Sequence, residues 1–424
     1  MTKRLHQFIA VVSIMIVSTT LGQDNVLIDR SYWKQQPSLK KVKADVAAGN
    51  DPAAFNQHTF DAVTWAILES ADDAIVWYLI NLDGNEVNKR SHDGRTPIFW
   101  AAYKNNVTLM KELIEKGANT DLMDSHGYSL VSFAASTGQT NQEVYNFCLE
   151  HGAKFNEERN KDGANPIHLI IPYLEDATLI EYFSKNGVSL KAEDKNGNNI
   201  FTYAAKTGNI PMMEYALSKG IDPHANNDAA VIFASKGTRS KSTSIEGFKF
   251  LQEHGLNLNT TDKDGRSALY YLASKSKDME LFEMLVQAGL KTDQSDNQGV
   301  SPLNQAAANN SGEVVKFLAY HSRDISAANT MGENALHIAV NHENKEAVKV
   351  LLEMGMDINV VTNEQLSPLH LAAMKAKDIE LLQFLIEKGA DKTLDTQFGE
   401  TAYDLALENE MLQNNKTNLD FLKP

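Results

Sequence analysis

An all-α solenoid of stacked helix-turn-helix units is the fold class that the sequence predicts, and three observations predict it. Gly, or a residue standing in for it, recurs at Thr59, Gly94, Gly127, Gly163, Gly197, Asn227, Gly265, Gly299, Gly332, Gln365 and Gly399, at spacings of 35, 33, 36, 34, 30, 38, 34, 33, 33 and 34 residues. A second series, Gly49, Gly84, Gly117, Gly152, Gly187, Gly220, Gly255, Gly289, Ser322, Gly355 and Gly389, precedes nearly every slot of the first by ten or eleven residues. Third, 424 residues exceed one ordinary compact core, yet no Pro/Gly/Ser-rich linker divides them.

In chain order, residues 1–22 read as a signal peptide. Lys3 and Arg4 precede an apolar run from Phe8 to Val17, then Ser18, Thr19, Thr20, Leu21 and Gly22, with cleavage expected after Gly22. The run is shorter than the roughly 20 residues of a membrane span, so no stable membrane insertion is expected once it is removed. Its loss takes two positive charges and no negative ones, moving the net charge from -15 to -17. Residues 23–58 are assigned to an N-terminal segment and capping half-repeat, 59–398 to about ten repeats, and 399–424 to a C-terminal capping repeat with a polar tail. Cys148 is the single cysteine, so stability rests on packing rather than on an internal disulfide.

One unit shows the physics. In Thr96-Pro97-Ile98-Phe99-Trp100-Ala101-Ala102, Thr96 is placed to cap a helix and Pro97 suits its first turn, where an N–H is not needed. Ala101 and Ala102 allow close approach of a neighbouring helix. The second helix carries Met110, Leu113 and Ile114 at helical spacing and stops at Gly117, which adopts the left-handed conformation without a side-chain clash. A single unit cannot bury that apolar face, whereas stacked units can.

These units resemble ankyrin repeats. The nearest matches are Ser367-Pro368-Leu369-His370-Leu371-Ala372-Ala373, Asn334-Ala335-Leu336-His337-Ile338-Ala339-Val340, and the closing runs Glu387-Lys388-Gly389-Ala390-Asp391 and Glu115-Lys116-Gly117-Ala118-Asn119. The resemblance covers about residues 40–410 and implies paired antiparallel helices, projecting β-hairpin fingers and a concave face that binds protein. His is retained at the family's histidine position at His168, His337 and His370, where it implies a structural brace. Asn227 and Gln365 depart from the slot Gly; Asn tolerates a left-handed backbone, while Gln costs about 1 kcal/mol there or reshapes the turn. The unit at 227–264 is irregular: its connector is short, and a polar, basic insertion from Ser235 to Ser244 separates its helices.

The acidic net charge argues against nucleic acid as a partner, because binding a polyanion draws on clustered Lys and Arg. No His-Glu-x-x-His, Gly-x-Ser-x-Gly, phosphate loop or Cys-x-x-Cys occurs, so no enzymatic activity, cofactor or metal is expected. His92, Asp93, Asp124 and His126 lie on successive fingers, and a shared metal would need the tips to touch, whereas packed helices stand roughly 8–10 Å apart. His151 and His254 precede stop glycines at helix C-termini, where a donor meets unpaired carbonyls. The stretch Lys236 to Lys241 is basic within an acidic chain and suits either a solvated loop or an acidic partner.

The resemblance places partner contacts at finger tips and just after each Ala-Ala pair. Those positions are His92, Asp93, Arg95, Tyr103, Lys104, Ser125, His126 and Tyr128, then Arg266, Met331, Glu333, Met374 and Lys375. Tyr and Arg tend to carry interface energy, so Arg95, Tyr103 and Tyr128 are the expected centre. The function expected is an exported, monomeric scaffold, periplasmic or secreted, that holds a protein partner. In narrower form, similar exported bacterial proteins support a neighbouring enzyme such as a periplasmic catalase. The alternative is a secreted effector that mimics host ankyrin proteins, and the least favoured reading is an enzyme with a polar cluster in the irregular stretch from Asn227 to Asp264.

Overall fold

A computed structural model describes residues 25–239, 241–414 and 418–424. The expected signal segment, residues 1–22, therefore lies outside the described residues. The described residues fall into two compact units, the first running as far as Leu130 and taking in Asn146–His151, the second made of Val131–Tyr145 and Gly152–Pro424.

In the first unit, the short helices Val26–Ile28, Arg30–Lys34 and Leu39–Ala47 precede the first repeat pair. They bury Leu27, Trp33 and Val42 completely, and the Trp33 indole donates to the Leu27 carbonyl at 2.8 Å. This apolar wedge gives the segment a reason to order that its polar surface lacks. The pairs Ala62–Leu68 with Asp73–Ile80 and Pro97–Tyr103 with Val107–Glu115 follow. In the second of these, Ile98, Phe99, Ala101, Ala102, Met110 and Leu113 are wholly buried, while Ile114, expected on the same face, is half-buried. Gly117 stops the outer helix with φ of 87°, its N–H reaching the Ile114 carbonyl while Ala118 N–H reaches Leu113. Thr96 does occupy the N-cap, but its hydroxyl caps nothing.

In the second unit the pairs run from Pro166–Ile170 with Thr178–Lys185 to Ala402–Glu408 with Glu410–Asn414. Here the three buried histidines act as braces. Nδ1 of His370 accepts the N–H of Ser367 at 3.0 Å and closes a capping box, while Nε2 donates to the Leu394 carbonyl of the following connector at 2.9 Å. His168 and His337 repeat the arrangement on Ala192 and Val360, at 3.0 and 3.2 Å. Burial drives the pKa of all three down, that of His168 to about 4, so each ring bonds as the neutral form.

The irregular repeat has a local cause. Its connector is too short for a finger, and Asn226, Asn227 and Asp228 replace it with three successive left-handed residues, φ 50°, 55° and 59°. Asn and Asp tolerate that region better than other side-chain-bearing residues. The three also tie into both neighbouring connectors: Asn226 Nδ2 donates to Asn198 Oδ1, Asn227 Nδ2 to Thr260 Oγ1, and Asn257 N–H to Asp228 Oδ2. Gln365 takes φ of 61°, the left-handed geometry expected for its slot.

Candidate binding surface

Most fingers are folded by their first residue. Asp124 Oδ1 accepts the N–H groups of His126 and Tyr128, both at 2.9 Å, and the Tyr128 carbonyl accepts Asp124 N–H in return. Asn160, Asp194, Asp262, Asp296 and Asn329 do the same, each receiving N–H groups two and four residues ahead. This is an Asx-type closure, and it accounts for the acidic and amide residues that recur three positions before the slot. Among the described residues the fingers carry one isolated bridge, Thr261 with Ser267, rather than named strands, because these side-chain acceptors take N–H groups that a ladder would use.

Within the units, several neighbouring fingers are joined by one backbone bond. Ser125 N–H donates to the Asp93 carbonyl at 2.8 Å in the first unit; Lys195 to Asp162, Asn297 to Asp264, Thr330 to Gln298 and Asn363 to Met331 follow the rule in the second. The left-handed slot makes room for this approach: a Cβ at Gly332 would stand 2.6 Å from the Asn363 nitrogen.

The predicted contact residues divide into two classes on this frame. Arg95 belongs to the first, because its guanidinium bridges Asp93 at 3.0 Å and Asp124 at 2.9 Å, and it lies 5.4 Å from the Trp100 ring centre. The side chain is 12% exposed and that of Asp124 is fully buried, so Arg95 fastens two fingers together. Arg266 repeats this with Asp264, Asp296 and the Tyr270 ring. His92 is similarly engaged: Nδ1 donates to the His58 carbonyl at 2.8 Å, and its ring stacks on Phe60 at 4.2 Å. Glu333 Oε2 accepts from Asn329 Nδ2 within its own finger.

Asp93 is the hub of the tip. Its Oδ1 lies 3.4 Å from His126 Nε2 and its Oδ2 lies 3.4 Å from His92 Nε2. Burial raises its pKa, but the charges of Arg95, His92 and His126 outweigh that and hold it below the usual carboxylate range. The finger tips thus touch, which separation of the helix axes alone did not anticipate. Among the described residues, no group of three or more His, Cys, Asp or Glu is arranged to hold a metal ion.

The second class is exposed. Tyr103 ends the helix Pro97–Tyr103 with its side chain outward, Lys104 beside it is half-buried at the C-cap, and Ser125 and His126 are exposed on the next tip with Tyr128 half-buried. In the second unit Met331, at 60% exposure, sits on a tip, while Met374 and Lys375 are exposed at the end of the helix Pro368–Lys375. Sequence reasoning missed Phe398, which is 78% exposed on the last finger; its position directly before the slot Gly399 was the available signal. His151 and His254 lie where expected, each Nδ1 donating to the carbonyl four residues back, Phe147 at 2.7 Å and Phe250 at 2.8 Å. Cys148 is buried.

A family model described as ankyrin repeats in three copies matches residues 63–159, 231–329 and 323–396. The chain belongs to the ankyrin-repeat family. Ankyrin repeats generally mediate contact between proteins. The chain is similar to human transient receptor potential cation channel subfamily A member 1, at 24% identity over 73% of this chain and 28% of the channel. It is similar to the nuclear factor NF-kappa-B p105 subunit of Gallus gallus at 33% identity, over 32% of this chain and 14% of that protein. It also matches the phosphocholine transferase AnkX of Legionella pneumophila at 28% identity, over 28% of this chain and 13% of the transferase. In each case the chain spans well under half of the relative's length. Among the described residues, no helix is long and apolar enough to cross a membrane.

Proposed function

We propose that this ankyrin chain is an exported scaffold that holds a protein partner on its finger tips and on the ends of its inner helices. The observation that carries the reading is the exposure of large contact-type side chains at equivalent repeat positions: Tyr103 and Met374 after the Ala-Ala pairs, and Met331 and Phe398 on the tips. Methionine and aromatic side chains are enriched at interface centres, and the tip that carries Met331, closed from within by Asn329 Oδ1, presents it with little conformational entropy left to lose. Export rests on the charged and apolar pattern of residues 1–22. The narrower form, support of a neighbouring periplasmic enzyme, follows if that partner proves to be an enzyme of the same compartment.

The test is chemical crosslinking of the tagged, signal-bearing chain in its native cells, followed by compartment fractionation and mass spectrometry. A dominant partner in the exported fraction, lost when Tyr103, Met331 and Met374 are replaced by Ala, is the expected result. Folded, exported chain that captures nothing would overturn the scaffold reading. Recovery of the chain mainly from culture supernatant and host cells would replace periplasmic support with a host-directed role.

A further inference from the structure

The insertion between the helices Ala225–Lys236 and Ile245–Glu253 presents positive charge without local compensation. Lys236 is accounted for: its Nζ stands 3.3 Å from Asp262 Oδ2 and 4.5 Å over the Tyr271 ring. Lys206 is too, lying between the Tyr203 and Phe233 rings and within the field of Asp162 and Asp194. Arg239 and Lys241 differ, for both are exposed and, among the described residues, neither pairs with a carboxylate. Lys275, on the next repeat, donates to the Lys236 carbonyl rather than to an acid. Burial holds its pKa below the usual lysine range, the mark of a cation in need of a counter-charge.

These three cations line one open cleft of about 290 Å³, together with Thr238, Thr243 and Asp278. They outnumber the one carboxylate there, Asp278, whose Oδ1 caps the helix Met279–Gln287 through Leu281 N–H at 3.0 Å. The loop is also anchored rather than draped. Thr238 N–H donates to the Lys241 carbonyl at 2.7 Å, Lys241 N–H returns to Thr238 Oγ1 at 3.0 Å, and buried Thr243 Oγ1 donates to the Ala205 carbonyl of the preceding repeat at 2.8 Å. Gly237 makes the turn at φ of 62°, where a Cβ would meet the Lys241 carbonyl oxygen at 2.7 Å.

We infer that this cleft docks a short acidic segment of a protein partner, whose carboxylates pair with Arg239, Lys241 and Lys275. Cations contributed by two loops suit several carboxylates spaced along a chain. A long polyanion or an anionic membrane would also meet the surrounding chain, whose net charge is -15, and be repelled by it. The inference rests on the scaffold reading and supplies the chemistry of its partner.

Fluorescence anisotropy of the full chain with a labelled octaglutamate peptide tests it. Saturable binding that weakens as salt rises is expected, with about a tenfold loss for Arg239→Glu/Lys241→Glu, a smaller loss for Lys275→Gln, and no binding of octaglutamine. Should the charge-reversed chain melt early, Arg239→Gln/Lys241→Gln carries the same comparison. The inference is overturned if octaglutamate fails to bind at low salt, if the charge-altered chains bind it equally, if millimolar inorganic phosphate displaces it completely, or if phosphatidylserine vesicles are bound in preference. Any of those failures leaves crosslinking through Tyr103, Met331 and Met374 untouched, so the two readings fail separately.

Discussion

Two fingers carry the same tripeptide, Asp93-Gly94-Arg95 in the first compact unit and Asp264-Gly265-Arg266 in the second, and the same guanidinium bridges two carboxylates in both. They differ in depth. Arg95 is 12% exposed, with contacts of 3.0 and 2.9 Å, and it is flanked by two histidines on Asp93; Arg266 is 35% exposed, with contacts of 3.2 and 3.4 Å. A shared motif therefore fixes the connectivity of the clamp, while its strength depends on how far the neighbouring side chains exclude water.

Replacing each arginine sharpens that difference most. Arg95→Ala strands the buried Asp124 Oδ2, and we expect a loss of about 3 kcal/mol in urea unfolding. Arg266→Ala, more open to solvent, should cost about 1 kcal/mol. Equal losses would show that exposure does not govern the clamps.

The next largest effect separates clamps from histidine braces. His168 is neutral in the fold with a pKa near 4, below the ordinary 6.5, so the unfolded chain binds more protons between those values. Stability from this residue is complete above pH 6.5 and falls as pH drops toward 4, by about 3 kcal/mol. Unfolding midpoints measured across that window should flatten in His168→Gln, and an unchanged slope would remove the brace from the account.

Smaller effects follow at the slots and tips. Gln365→Gly should stabilise the chain by about 1 kcal/mol by relieving the left-handed backbone, read as a higher denaturation midpoint. His126→Ala, removing an exposed partner of Asp93, should shift unfolding by less than about 0.5 kcal/mol at neutral pH.

The repeat frame was legible because it rests on local rules. Glycine slots, helix stops and buried alanines recur at fixed spacing, and even the substitutions at Asn227 and Gln365 declared their backbone geometry. The commitment of Arg95 was not legible in the same way, since its second carboxylate, Asp124, lies 29 residues ahead, as Asp296 lies 30 ahead of Arg266. An Asp-Gly-Arg slot followed at that distance by an acidic finger residue is the signal that would have revealed it. Arg95 thus passes from expected contact residue to the support beneath the contacts. The idle Thr96 hydroxyl was hidden for a related reason, because its residue type suits a cap while the bond itself depends on the folded geometry.

The central claim is that the exposed positions on this frame, and not its outer surface, meet a protein. Placing a photo-crosslinking residue in turn at Tyr103, Met331, Met374 and the exposed outer-helix position Lys349, in its native cells, tests it most directly. The account predicts one common partner mass from the first three positions and none from Lys349. Equal yield from Lys349, or no adduct from the three, would contradict it.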